Sequence, residues 1–121
     1  MTKRYQKIVR RKIPRIIKQN GGTPEYRKIG GKELVRFLKA KIIEEAVEVR
    51  DAHAEDELLD ELADLQSAIE ALLTVKHINK TNFETVMKSK IIKQGDYIFG
   101  DVDGGEQVYS AMFLEEVDEH K

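Results

Sequence analysis

Residues 32–54 read KELVRFLKAKIIEEAVEVRDAHA and residues 55–75 continue EDELLDELADLQSAIEALLTV; the fold turns on these two stretches. In the first, Val35, Leu38, Ile42 and Val49 recur at helical spacing, and Arg36, Lys39 and Arg50 fall on the opposite, wet side. Glu44, Glu45 and Glu48 lie away from that wet side, beside Leu34 and Phe37, with Lys41 the one cation among them. In the second stretch, Leu58, Leu62, Leu65, Ile69 and Leu73 form an apolar stripe, with Leu72 at its margin and Glu61 and Asp64 on its border. Two long helices are therefore expected, about 32–54 and 55–75, meeting in a turn near Glu55.

Upstream, residues 3–18 hold eight cations and no acid, with Ile13, Ile16 and Ile17 at helical spacing and Pro14 suited to a first turn. Asn20-Gly21-Gly22 ends that short helix, and Thr23 to Gly31 reads as a loop. Downstream, a third sizeable helix runs from Asn79 or Lys80 to Gln94, carrying Phe83, Val86, Met87 and Ile91, and Gly95 stops it. The tail from Tyr97-Ile98-Phe99 through the Gly100–Gly105 turn to Val117 alternates like a β-hairpin. The expectation is an all-α helical bundle built on an antiparallel helix hairpin, with a short C-terminal β-hairpin tail. It forms a single domain over 1–121.

The chain carries 21 Lys+Arg against 22 Asp+Glu, but the near-neutral total hides strong segregation. Residues 1–40 have 13 basic and 2 acidic side chains, and residues 41–70 have 2 basic and 11 acidic. Residues 71–94 return to net +4, and residues 95–121 to net −7. Such a chain either binds something charged or pairs its own blocks. There is no cysteine, which excludes disulfides, thiol catalysis and Cys-containing metal sites. No apolar run reaches the length of a membrane span and no apolar N-terminal stretch reads as a signal peptide, so the expected setting is the cytoplasm, with no membrane partner.

The acidic pattern carries the chemistry. Glu44-Glu45-Ala46-Val47-Glu48 is followed, after twelve intervening residues, by Glu61-Leu62-Ala63-Asp64. Residues three or four apart share a helix face. In an antiparallel hairpin Glu48 and Glu61 stand at similar heights, so four or five carboxylates gather in one patch. Two unit charges ~5 Å apart at an effective dielectric of ~20 repel by roughly 3 kcal/mol. Solvated acids escape most of that cost, but acids beside Phe37, Leu34 and Leu72 must take up protons or hold a cation. A lone E-x-x-E reads as a solvated surface; two of them, at matching height on semi-apolar faces, do not. An all-oxygen donor set without His or Cys suits Mg²⁺ or Mn²⁺. A di-iron bundle would want Glu-x-x-His pairs, and Arg50, Thr74 and Val117 stand three residues before His53, His77 and His120.

E-E-x-x-E followed by E-x-x-D on consecutive helices resembles the MazG-like all-α nucleoside triphosphate pyrophosphohydrolases. Within them, Tyr5-Gln6-Lys7-Ile8-Val9-Arg10-Arg11-Lys12-Ile13-Pro14 is similar to the opening of a compact phosphoribosyl-ATP pyrophosphohydrolase-like subgroup. Pro24-Glu25-Tyr26-Arg27, Glu61-Leu62-Ala63-Asp64-Leu65 and Lys90-Ile91-Ile92-Lys93-Gln94-Gly95 also fit that subgroup, so the likeness spans about residues 5–97. It implies Mg²⁺-dependent hydrolysis of a nucleoside triphosphate, or a related nucleotide, to the monophosphate and pyrophosphate. By position it implies Glu45, Glu48, Glu61 and Asp64 as metal ligands, with Glu45 and Glu44 catalytic; Glu44 would act through a second metal or by orienting water. Lys7, Arg10, Lys12, Lys90 and Lys93 would contact the phosphates.

The chain departs from the pattern at Arg11, where relatives commonly have an acid, at Gln94-Gly95-Asp96-Tyr97, and in the tail beyond Phe99. Helices apolar on more than one side in so short a chain favour a core shared between copies, hence a homodimer or higher homo-oligomer. A rival reading takes the basic opening as a nucleic-acid-binding or regulatory module, although Tyr5 is its one stacking aromatic. Another keeps the fold as an inactive member, a reading that Arg11 and the altered late helix leave open.

Overall fold

A computed structural model describes residues 4–97 and 111–115. Its regular elements are all helical: α1 (Ile13–Gln19), α2 (Gly31–Asp51), α3 (Glu55–Val75) and α4 (Lys80–Gln94). The chain divides into two compact units, Met1–Lys80 and Thr81–Lys121. The expected β-hairpin falls mostly outside the described residues, and residues 111–115 carry no regular structure. Among the described residues no helix is long and apolar enough to cross a membrane.

In the first unit, Pro14 sits in the opening turn of α1, where its missing N–H costs nothing. The helix ends in a paired turn: Gly21 N–H donates to Lys18 O at 3.0 Å and Gly22 N–H to Ile17 O at 2.9 Å. Gly21 takes φ +87°, and a Cβ on Gly22 would come within 2.7 Å of Ile17 Cγ2. Both positions of this cap therefore call for glycine.

α2 and α3 form the hairpin that the two quoted stretches predict. Ala52 turns the chain out of α2 in extended conformation, and Ala54 caps α3. So short a connection, Ala52-His53-Ala54, forces the two helices to run antiparallel. Glu55, Asp56 and Glu57 fill the first turn of α3, where negative charge opposes the helix dipole, and Asp56 Oδ1 accepts from Glu57 N–H at 2.9 Å. At its other end α3 closes with Ile78 N–H donating to Leu73 O and His77 N–H to Thr74 O. That geometry leaves His77 at φ +56°, a left-handed position that usually belongs to glycine.

The core of this unit is thin. Leu38 and Ala68 are its buried apolar residues, at 3% and 7% exposure. Val35, Phe37, Ile42 and Val49 of α2 are half-buried, and Arg36, Lys39 and Arg50 are exposed, as the spacing predicts. Ile43 and Leu59 stand 66% and 69% exposed.

Residues 4–12 lie across the hairpin as an arm. Arg4 pairs with Glu25, and Arg27 grips Glu33 with two nitrogens, at 2.8 and 2.7 Å, while Gln6 Oε1 accepts from Arg27 Nη2 at 2.8 Å. The loop after α1 thus ties the arm to the start of α2.

In the second unit, α4 carries Phe83 half-buried and Val86, Met87, Ile91 and Ile92 exposed. Gly95, at φ +77°, follows its last turn.

Candidate functional site

The antiparallel hairpin brings acids of α2 and α3 to one level. One carboxylate oxygen each from Glu45, Glu61 and Asp64 lies within 4.8 Å of the others. Glu61 and Asp64 share a face because they are three residues apart on α3. Glu45 is buried, at 7% exposure, and the other two are half-buried.

Each acid has a different charge environment. Lys41 Nζ stands 3.2 Å from Glu45 Oε1 and 3.4 Å from Glu44 Oε2. Lys7 Nζ donates to Glu44 Oε1 at 2.9 Å, and Arg10 Nη2 to Asp64 Oδ1 at 2.7 Å. The hydrogen bond from Lys7 holds the Glu44 carboxyl below its ordinary range, with Lys41 adding to it against an opposing push from burial. The same bond raises Lys7 above its own ordinary value. Glu61 is shifted the other way. Partial burial lifts its carboxyl first, followed by the charges of Glu48, Glu45 and Asp64 and a hydrogen bond shared with Glu45. A carboxyl pushed up by carboxylate neighbours is one that a cation would relieve.

Beside these acids, arm and hairpin line an open cavity of about 390 Å³. Lys7, Arg10 and Lys41 supply its positive charge, Glu45 and Asp64 its acidic end, and Leu38 and Ala68 part of an apolar wall. Its size and its mix of apolar wall and convergent charge are those of a small-molecule site.

Of the four expected metal ligands, the structure groups Glu45, Glu61 and Asp64. Glu48 does not join them: it is exposed rather than on a semi-apolar face, although its charge still reaches Glu61. It stands about one turn nearer the Ala52–Ala54 turn than Glu45 does. Glu44 likewise lies outside the trio, with both oxygens engaged by lysines. Of the expected phosphate contacts, Lys7 and Arg10 line the cavity, and Lys12 is exposed at the start of α1. Lys90 and Lys93 are exposed on α4 of the second unit. Lys41 was not among the expected site residues. Its signal was present in the sequence, as the one cation on the acidic side of α2, three and four residues before Glu44 and Glu45.

The donor set fits a hard divalent cation: three carboxylates, all oxygen, one buried and two half-buried, with Glu45 and Asp64 lining the cavity. Compared with known proteins, the chain matches no family profile, no curated protein and no solved structure.

Proposed function

We propose that this chain is a divalent-metal-dependent nucleotide pyrophosphohydrolase of MazG-like bundle architecture, cleaving a nucleoside triphosphate or related nucleotide between the α and β phosphates. The observation that carries the reading is the carboxylate trio of Glu45, Glu61 and Asp64 at the edge of a cavity whose other charged residues are cations. Acid for a metal and base for phosphates, side by side, are what a polyphosphate ester requires.

Glu45, Glu61 and Asp64 would hold Mg²⁺ or Mn²⁺. A bound divalent ion supplies neutralisation of phosphate charge and a water acidic enough to attack. The chain's own residues do the rest. Lys41 fixes the buried Glu45 carboxylate in place. Lys7, Arg10 and Lys41 oppose the charge of the phosphates and of the departing pyrophosphate. Leu38 and Ala68 give the cavity an apolar wall beside its charged residues. Glu44, bound to Lys7 and Lys41, contributes by positioning those cations. Glu48 as a metal ligand rests on the sequence resemblance, with its charge reaching Glu61. Lys12, Lys90 and Lys93 rest on the sequence resemblance; assembly into a homo-oligomer rests on helices apolar on more than one side in a short chain, to which the exposed Ile43 and Leu59 add.

Pyrophosphate release by the purified chain with Mg²⁺ is the direct test, on a panel of nucleoside triphosphates that includes phosphoribosyl-ATP, dUTP and oxidised nucleotides. Release from at least one is expected, and none from any would overturn the reading. Glu45→Gln is expected to lower turnover by a factor of 10² or more while the helical content is kept, followed by circular dichroism. Full activity in that variant would remove Glu45 from the site.

The nucleic-acid reading predicts binding that needs no Mg²⁺ and weakens steeply with salt. Three cations of the arm, Arg4, Lys7 and Arg10, are already matched by acids of this chain, which lowers the net charge the arm offers a long nucleic-acid backbone.

A further inference from the structure

Arg10 holds two positions at once. The residue lines the cavity, where a phosphate would lie, and its guanidinium donates to Asp64 at 2.7 Å, occupying one of the three carboxylates grouped for a metal. It cannot serve a phosphate fully while it is the counterion of Asp64. The pair is an exposed one, with side chains 61% and 43% accessible, and exposed pairs are weak. The charges of Glu45 and Glu61 nearby favour a divalent ion over a monovalent guanidinium at the same oxygen.

We propose that the Arg10–Asp64 ion pair is a latch opened by metal: Arg10 gives up Asp64 to a divalent cation and, once free, turns to the phosphate ligand in the cavity, so that metal and phosphate bind cooperatively. This rests on the site reading above and adds regulation to it. Coupling of this kind is reciprocal: metal strengthens phosphate binding by the factor with which phosphate strengthens metal binding. Before the metal arrives, Arg10 also keeps the arm down over the cavity together with Lys7, whose bond to Glu44 does not involve the trio.

The test needs no turnover. Calorimetric titration of the full chain with Mg²⁺ alone is expected to show Arg10→Met binding two- to fivefold more tightly than wild type, within the range that an exposed ion pair allows. Arg11→Met, which removes an adjacent cation of the arm, should leave Mg²⁺ affinity unchanged. With inorganic pyrophosphate as the probe, Arg10→Met should match wild type in EDTA and bind roughly tenfold more weakly at saturating Mg²⁺, the loss of one charged hydrogen bond. The Arg10 Nε resonance, assigned by its disappearance in Arg10→Met, should move when Mg²⁺ is added to wild type. Equal pyrophosphate loss with and without Mg²⁺, equal tightening by Arg11→Met, or an unmoved resonance in Mg²⁺-bound wild type would each overturn the latch alone. Wild type that fails to bind Mg²⁺ would overturn the metal site itself.

Discussion

At Glu61 the acidic patch is least compensated. Asp64 has Arg10 and Glu45 has Lys41, whereas the neighbours that shift Glu61 are Glu48, Glu45 and Asp64, all acids. Its folded-state pKa lies above the ordinary 4.5, so the folded protein binds this proton more tightly than the unfolded chain does. Ionised Glu61 therefore lowers stability at neutral pH, and the deficit shrinks as pH falls through the raised pKa toward 4.5. Thermal melts in EDTA should show Glu61→Gln more stable than wild type at pH 7.5, the gap closing near pH 4. A Mg²⁺-containing buffer should reverse the order, because the carboxylate then has its cation and the amide is the poorer ligand. A variant no more stable than wild type at pH 7.5 in EDTA would show that the patch carries no such load. Lys41 is the counterpart: half-buried and shared between Glu44 and Glu45, it fixes which acid is left for a cation to satisfy.

The elements themselves were written plainly in the sequence. The spacing of Val35, Leu38, Ile42 and Val49, and the Pro14 and Gly21-Gly22 punctuation, place the helices within a few residues of where they stand. The alignment of Glu45 with Glu61 and Asp64 was legible for the same reason, since a short turn between two regular helices leaves little freedom of register. The exposure of Glu48 was not legible, because a helical wheel gives direction around an axis but not how far the partner helix covers each turn. Nor was Arg10–Asp64: no local rule relates two side chains 54 residues apart. His77 is a different case, a residue whose place just past the end of α3 works against its chemistry. At φ +56° it occupies the left-handed cap, where a Cβ is costly. His77→Gly should stabilise the fold by about 0.5–1 kcal/mol, read as a shift of the urea midpoint at constant m-value; a destabilised variant would mean that the imidazole itself holds the cap.

Within the first unit, part of the segregated charge pairs with itself: Lys7 with Glu44 and Arg10 with Asp64 join the basic arm to the acidic hairpin. These exposed pairs cannot replace a large apolar core, and among the described residues Leu38 and Ala68 make a small one. Exposed Ile43 on α2 and Leu59 on α3 are then the places where another copy would add burial. Sedimentation of wild type is expected to give a dimer or larger, and Leu59→Glu to shift it toward monomer by placing a charge in that contact. A monomeric wild type would put the apolar surface to some other use. The brevity of the Ala52–Ala54 turn has one more consequence, in time rather than in space. Contacts between residues close along the chain form early, so Glu45, Glu61 and Asp64 are driven together before the arm can bring Arg10 across from the N-terminus. The nascent hairpin must close against its own repulsion, and a divalent cation in the refolding buffer should act chiefly on the rate of folding, helping the hairpin to close.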